Sequence, residues 1–270
     1  MLNDPGKESE NEPIELRCYF VRNRNALAVR GDFATIYRDY YLHLMQHELQ
    51  YEPIQDNALK EALAALVLHL SSRPRNEAIA WTLNWQDPRY NLFVTGSNRQ
   101  GNVTGRIFTE DVRARESNLF FSQATVDGQP ARQSNIEARS ENFLAIVEDY
   151  YTHSEQRPAR IFRYRDEDFV MVTAQPDCDL EWFQSLNNES IRELDQTEDL
   201  SLLETRSFRF DCGCSILKLL PVIGNLSTEE RSDLFGKEPD QPLLVTCPRC
   251  AARYGLTREM LDLYLKQEES

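Results

Sequence analysis

The chain has no excess of positive charge. Its 270 residues carry a formal net charge of −14, and no stretch gathers lysine and arginine into a basic patch. A protein of this sign gains nothing from releasing the counterions of a phosphate backbone, so no nucleic-acid partner is expected. Long apolar runs are also missing, none approaching the roughly 20 residues that span a bilayer. No membrane association is expected either. The opening stretch Asn3-Asp-Pro-Gly-Lys-Glu-Ser-Glu-Asn-Glu-Pro is polar throughout, unlike a cleavable signal. The expected compartment is therefore the cytoplasm, where thiols stay reduced and paired cysteines point to metal or redox chemistry. There is no internal repeat, and no H-E-x-x-H metalloprotease motif. His43-Leu-Met-Gln-His47 sets two imidazoles one helical turn apart but has no glutamate at the catalytic position and no third ligand. The pair is read as plain helix surface.

Four of the six cysteines do come in pairs. Cys212-Gly-Cys214 and Cys247-Pro-Arg-Cys250 are separated by thirty-two residues. Each short spacing lets two sulfurs converge from one tight turn, and the long spacing leaves room for a helix that folds the pairs together. Four thiolates at about 2.3 Å complete a tetrahedral zinc site with no open position, the structural arrangement. Gly213 admits a conformation a side chain obstructs, and Pro248 pre-sets the second turn. A disulfide framework or four inert core cysteines are the alternatives, and the paired spacings favour zinc. One Zn2+ per chain is expected on Cys212, Cys214, Cys247 and Cys250. The lone Cys18 and Cys178 are read as core or core-edge residues.

The remaining composition, 41% hydrophobic with 10% aromatic residues, permits a sizeable core. Residues 1–13 read as a disordered leader. Ile14–Val21 alternates as a strand, and Asp32 is placed as the cap of a helix from Phe33. Asp56 or Asn57 is expected to cap a second helix, Ala58 to Leu70, whose Ala62, Ala64 and Ala65 allow close approach by another element. Strands are expected around Ala78–Trp85, Tyr90–Gly96, Val103–Phe108 and Asn118–Val126. A helix from Asn142 and a closing hairpin, Ala159–Tyr164 with Phe169–Ala174, follow. Strands cluster instead of alternating with helices, which indicates α+β with a largely antiparallel sheet.

The core is thus expected over 14–176, a short helical linker over 177–206, and a small zinc-binding domain over 207–270. Leu180, Trp182, Phe183, Ile191 and Leu194 are the linker residues expected to dock on the core. In the zinc-binding domain, Ser227 or Thr228 starts a helix that Gly236 ends, and Thr257 caps a last helix to Lys266.

At these residues the sequence resembles a known family, the redox-regulated holdase chaperones (33 kDa chaperonin, the 33 kDa heat-shock protein). Phe210-Asp-Cys212-Gly-Cys214-Ser and Cys247-Pro-Arg-Cys250-Ala-Ala-Arg-Tyr254 carry the strongest likeness. Leu92-Phe-Val-Thr through Gly101-Asn-Val-Thr-Gly105, Asp127-Gly128-Gln-Pro130 and Tyr150-Tyr-Thr-His-Ser154-Glu155-Gln156-Arg-Pro158 follow the family in the same order. The resemblance implies an ATP-independent chaperone of the stress response, not an enzyme, with no catalytic residue and no organic cofactor. Its partners are unfolded or partly folded client proteins, and it forms a homodimer when oxidised. It also implies that oxidants convert the thiols to Cys212–Cys214 and Cys247–Cys250 disulfides, with loss of zinc and unfolding of the linker. This chain departs from the family in its shorter linker, in Ala131 where a glycine follows the Gln-Pro turn, and in Ala159 where threonine is usual.

Two other readings remain from the residues. One is an interaction protein in which zinc is only a structural staple. The other is a thiol oxidoreductase using Cys247-Pro-Arg-Cys250, which lacks the βαβ context of such enzymes.

Overall fold

The computed structural model describes residues 11–235 and 241–268. The leader expected over 1–13 lies outside the described residues up to residue 10, as does Gly236, the expected end of a helix. The described chain opens with a hairpin, β1 (Ile14–Val21) and β2 (Ala26–Asp32), which places Asn23 and Asn25 at positive φ in its turn. The sequence reading missed β2: its residues are buried on both faces, so no polar alternation marks it.

Helix α1 (Ala34–Gln46) follows, and Asp32 Oδ1 accepts from the backbone N–H of Ala34 at 2.8 Å. Asp32 itself remains in β2, so the cap position falls to Phe33. Helix α2 (Pro53–Ser71) begins five residues before the expected Ala58. Pro53 pre-sets the first turn and Glu52 and Gln55 make a reciprocal capping box, which supplies the start in place of Asp56 or Asn57. From Leu59 onward α2 is buried on nearly every side, the mark of a central helix.

The sheet then grows through β3 (Glu77–Gln86), β4 (Arg89–Ser97), β5 (Asn102–Phe108), β6 (Leu119–Val126) and β7 (Arg132–Glu137). The edge strand β7 is polar and largely exposed, so it too gave no pattern. α3 (Phe143–His153) is capped by the Asn142 side chain, and β8 (Ala159–Arg163) and β9 (Asp168–Ala174) form the closing hairpin. The expected linker is helical only as α4 (Leu180–Ser185), α5 (Asn188–Arg192) and α6 (Leu194–Thr197).

From Leu200 the expectation fails. Leu200–Phe210 is a strand, β10, paired with β1 from Val21↔Leu200 to Ile14↔Phe208. Its last residues add a parallel pairing to β5, Arg209↔Asn102 and Phe210↔Val103. The strand therefore runs through the expected boundary between linker and zinc-binding domain at residue 206. Its sequence concealed this because Leu202 and Leu203, adjacent and both exposed, break the alternation, and the ladder to its neighbours supplies the stability. Beyond it lie α7 (Ile216–Gly224), α8 (Thr228–Phe235), the hairpin β11 (Leu243–Thr246) with β12 (Arg253–Leu256), and α9 (Arg258–Glu268). α7 went unseen because Pro221 sits inside it.

Among the described residues the large sheet runs β7-β6-β3-β4-β5-β10-β1-β2-β9-β8, and β11-β12 form a separate pair. All pairings but β10–β5 are antiparallel, so the α+β class holds. β10 is the seam between the two halves of the large sheet. Gly101, at φ 59°, makes the seam possible: a Cβ there would lie 2.6 Å from Ser207 O. α2 fills one face of the sheet, closely enough that a Cβ on Gly96 would meet Leu70 Cδ1 at 2.7 Å. Leu16, Leu63, Trp81, Phe120, Phe143, Tyr151 and Phe208 join it in the main core.

A second apolar cluster joins Val21, Ala28, Phe162, Val170 and Val172 of the sheet to Phe183, Leu186, Ile191 and Leu194 of α4–α6 and their joints. Of the expected docking residues, Phe183, Ile191 and Leu194 are buried, Trp182 is half-buried and Leu180 is 52% exposed. No helix among the described residues is long and apolar enough to cross a membrane.

Candidate metal centre

Strand β10 delivers the first thiol pair. Phe210 is buried in the main core against Tyr40 and His43, and the next residue, Asp211, donates its N–H to Val103 O at 3.0 Å. Cys212 follows at once. Gly213 takes φ 64°, and its N–H is held by Asp211 Oδ1 at 2.7 Å. The Lys218 ammonium, from α7, donates to Gly213 O. The glycine is required here because L side chains disfavour that φ.

The second pair sits on the tip between β11 and β12. Cys247 N–H donates to Ala252 O at 2.8 Å and Ala251 N–H to Cys247 O at 3.0 Å, closing a tight knuckle. Ala251 occupies the left-handed region at φ 64°, a strained choice for a residue with a Cβ.

These turns bring the four expected sulfurs within 4.8 Å of one another. Cys212 Sγ lies 3.7 Å from Cys247 Sγ, and Cys214 Sγ lies 3.4 Å from Cys250 Sγ. A tetrahedron with metal–sulfur arms of 2.3 Å has edges of about 3.8 Å, so the set fits one tetrahedral metal ion. Cys247 and Cys250 are buried; Cys212 and Cys214 are half-buried. Tyr254 closes one side, its hydroxyl 3.2 Å from Cys214 Sγ and donating to Cys214 O at 3.0 Å. Hydrogen bonding from Cys212 lowers the Cys214 thiol to about 7. Bonds among the thiols likewise favour the Cys247 thiolate, while Cys212, bonded to Cys214 and Cys247, is held up. Cys250, bonded to the other three thiols, is held up as well, and binding a metal ion would require all four to give up their protons.

Cys18 and Cys178 lie outside this group. Cys18 Sγ donates to Ser71 O at 3.4 Å, and burial raises its pKa to about 11. Cys178 packs at the edge of the second cluster, also raised by burial.

His43 of α1 and His47 at its C-terminal cap require a correction, because they are not plain helix surface. His43 Nε2 lies 2.8 Å from Cys250 O, and His47 Nδ1 accepts from Arg253 N–H at 3.2 Å. Burial lowers the pKa of both imidazoles. Arg106 of β5 adds a third bond, its Nη1 donating to Cys247 O at 2.9 Å. Three side chains of the core thus bind the backbone of the knuckle. The four-residue spacing of the histidines put them on one helix face, but nothing local showed what that face meets.

The model of the family described as "Hsp33 protein" matches residues 25–175 and 166–257. The 33 kDa chaperonins of Yersinia pestis (strain Pestoides F) and Yersinia pseudotuberculosis (serotype O:1b) are each 25% identical to this chain, over 89% of it and 91% of their own length. The crystal structure of the 33 kDa chaperonin from Thermotoga maritima shares the fold, with a TM-score of 0.68 at 15% identity, over 95% of this chain and 99% of that one. With the model matched over most of its length, the chain belongs to the Hsp33 protein family.

Proposed function

We propose that this chain is an ATP-independent holdase of the cytoplasm that binds unfolding proteins under oxidative stress, with no catalytic role. Family membership supports the chaperone function. Zinc is assigned to Cys212, Cys214, Cys247 and Cys250, one ion per chain. An all-thiolate tetrahedral set without an open position suits structural zinc.

The observation that carries the switch is the joint between metal centre and core. β10 pairs with β1 and β5, and Cys212 is the second residue beyond its end. Among its described residues the segment 211–268 has a small core of its own, a cluster that includes Ile216, Leu220, Ile223, Phe235, Leu256 and Leu261. Structural zinc contributes an apparent ~10–16 kcal/mol to units of this kind, as much as burial of all six side chains at roughly 1.5–3 kcal/mol each, so its loss removes about half of what offsets the ordering entropy of the segment. Peroxide takes two electrons from each pair of thiols, forming Cys212–Cys214 and Cys247–Cys250 disulfides while it is reduced to water. The metal then has no ligands, and the unit loses its fold.

Residues 14–176 with β10 act as the client-binding core. α4–α6 act as the lid over its second apolar face. The lid is packed incompletely: a cleft of about 670 Å³ lies between Arg17, Tyr19 and Arg30 on the strands and Ile191, Leu194 and Leu200. The oxidised protein is expected to form a homodimer.

A second reading has its own support. Because β10 belongs to the core sheet, the metal unit is fixed to the core with little slack, as a permanent staple would be. Zinc release during peroxide treatment, followed together with suppression of client aggregation, separates the two. Release coincident with activity supports the switch. Equal activity in both redox states, with zinc retained, leaves the staple.

A further inference from the structure

The bonds from His43, His47 and Arg106 all fall on residues 247–253, and all on backbone atoms: Cys250 O, Arg253 N and Cys247 O. Apolar packing alone would hold two units together without regard to carbonyl direction. These contacts instead read the orientation of the peptide groups that carry both thiols of the second pair.

The polar atoms are positioned for this purpose. The imidazoles of His43 and His47 pack at 4.8 Å between centroids, with His43 against Phe210 and His47 against Tyr254. Arg106 lies 4.0 Å above the Phe108 ring, and its buried Nε has no partner. Stacked on Phe108 of its own strand, the guanidinium is held where Nη1 reaches Cys247 O. Accepting from an amide requires His47 to be neutral at Nδ1, with its proton on Nε2.

We propose that His43, His47 and Arg106 form a latch by which α1 and β5 hold the second thiol pair in its metal-binding shape, so that the core itself sets how fast the metal is lost. The inference rests on the reading that the four thiols bind zinc. The latch residues are positioning residues, two bonds or more from any ligand atom. When the knuckle changes shape the three bonds fail together, and the state of Cys247 and Cys250 reaches α1 without passing through α4–α6.

The test uses the full, reduced, zinc-loaded chain, without oxidant or client. His43→Phe and His47→Phe keep an aromatic ring and remove the polar atom; Arg106→Met keeps the stem; His43→Gln keeps an N–H donor. Zinc transfer to a chromogenic chelator and amide exchange at Arg253 are the readouts, with the near-ultraviolet dichroism of buried Trp81 reporting the core. Losing one such bond is expected to speed transfer by about tenfold in the Phe and Met variants, with faster Arg253 exchange in His47→Phe, and His43→Gln close to the parent. Unchanged transfer in any one of the three with its core signal intact, or His43→Gln as fast as His43→Phe, overturns the latch. A variant that loses the Trp81 signal is replaced by the other two, each of which decides the matter alone. If all three lose it, the residues serve the core and the latch is overturned. Should the reduced parent hold no zinc, the metal reading fails, and Arg253 exchange in His47→Phe still decides the latch: unchanged exchange overturns it.

Discussion

Phe210 and Cys212 are separated by a single residue, yet one is a buried side chain of the main core and the other a thiol of the candidate metal centre. Asp211 between them bonds both ways, its N–H to Val103 O and its carboxylate to Gly213 N–H. The core therefore ends where the candidate metal site begins. A chain ending at Asp211 is expected to unfold in one cooperative transition in urea. A chain ending at Arg206 also loses Phe208 and Phe210, and removal of a buried Phe side chain costs about 3–5 kcal/mol. Its midpoint should fall sharply, or the fragment should be molten. Equal midpoints for the two fragments would show that β10 adds nothing to the core.

Metal analysis tests the thiol assignment. The Cys212→Ser, Cys250→Ser double variant is expected to lose its zinc, while the Cys18→Ser, Cys178→Ser variant keeps one ion per chain. Full retention in the first, at the parent's affinity, would show the assignment to be wrong.

The proposed lid can be opened by design. Phe183 is buried between α4 and the sheet, and truncating it costs about 3–5 kcal/mol, more than enough to release three short helices. Phe183→Ser is expected to suppress aggregation of a thermally unfolding client in the reduced state, read by light scattering. Trp182→Ser, at a half-buried position, should do so less. If Phe183→Ser were as inactive as the reduced parent, α4–α6 would not be covering the client surface.

Stability should also respond to acid through His69. This imidazole lies wholly inside the core, its Nδ1 2.6 Å from the Tyr151 hydroxyl, with Trp81 and Tyr150 against the ring. Burial first, then the charges of Arg73, Arg157 and Arg132, holds its pKa well below the ordinary value. Below about pH 6.5 the unfolded chain binds a proton that the folded chain refuses. Stability from this group is complete above that pH and declines as pH falls toward the depressed folded value, by up to about 1.4 kcal/mol per pH unit. His43 and His47 act in the same direction. Urea unfolding at pH 7 and pH 5 should therefore show a smaller loss for His69→Gln than for the parent. An identical loss would assign the acid response elsewhere.

Much of this was legible because it is local. A C-x-C and a C-x-x-C turn two thiols inward whatever the rest of the chain does, and the structure brings the four sulfurs together. Asn142 caps α3 through a bond three residues long, and Thr257 Oγ1 accepts from Met260 N–H at 3.2 Å at the start of α9. The hairpins β3–β4 and β8–β9 are fixed by turn residues between alternating runs. Each of these rests on neighbours in sequence, whose geometry the backbone dictates.

Tertiary structure alone decided the rest. His43 meets Cys250 across 207 positions and Arg106 meets Cys247 across 141, separations at which side-chain spacing carries no signal. The identity of β10 was equally hidden, because its support comes from ladders to β1 and β5 rather than from its own alternation of apolar residues. A motif specifies its own turn; which surface that turn rests on depends on packing over the whole sheet.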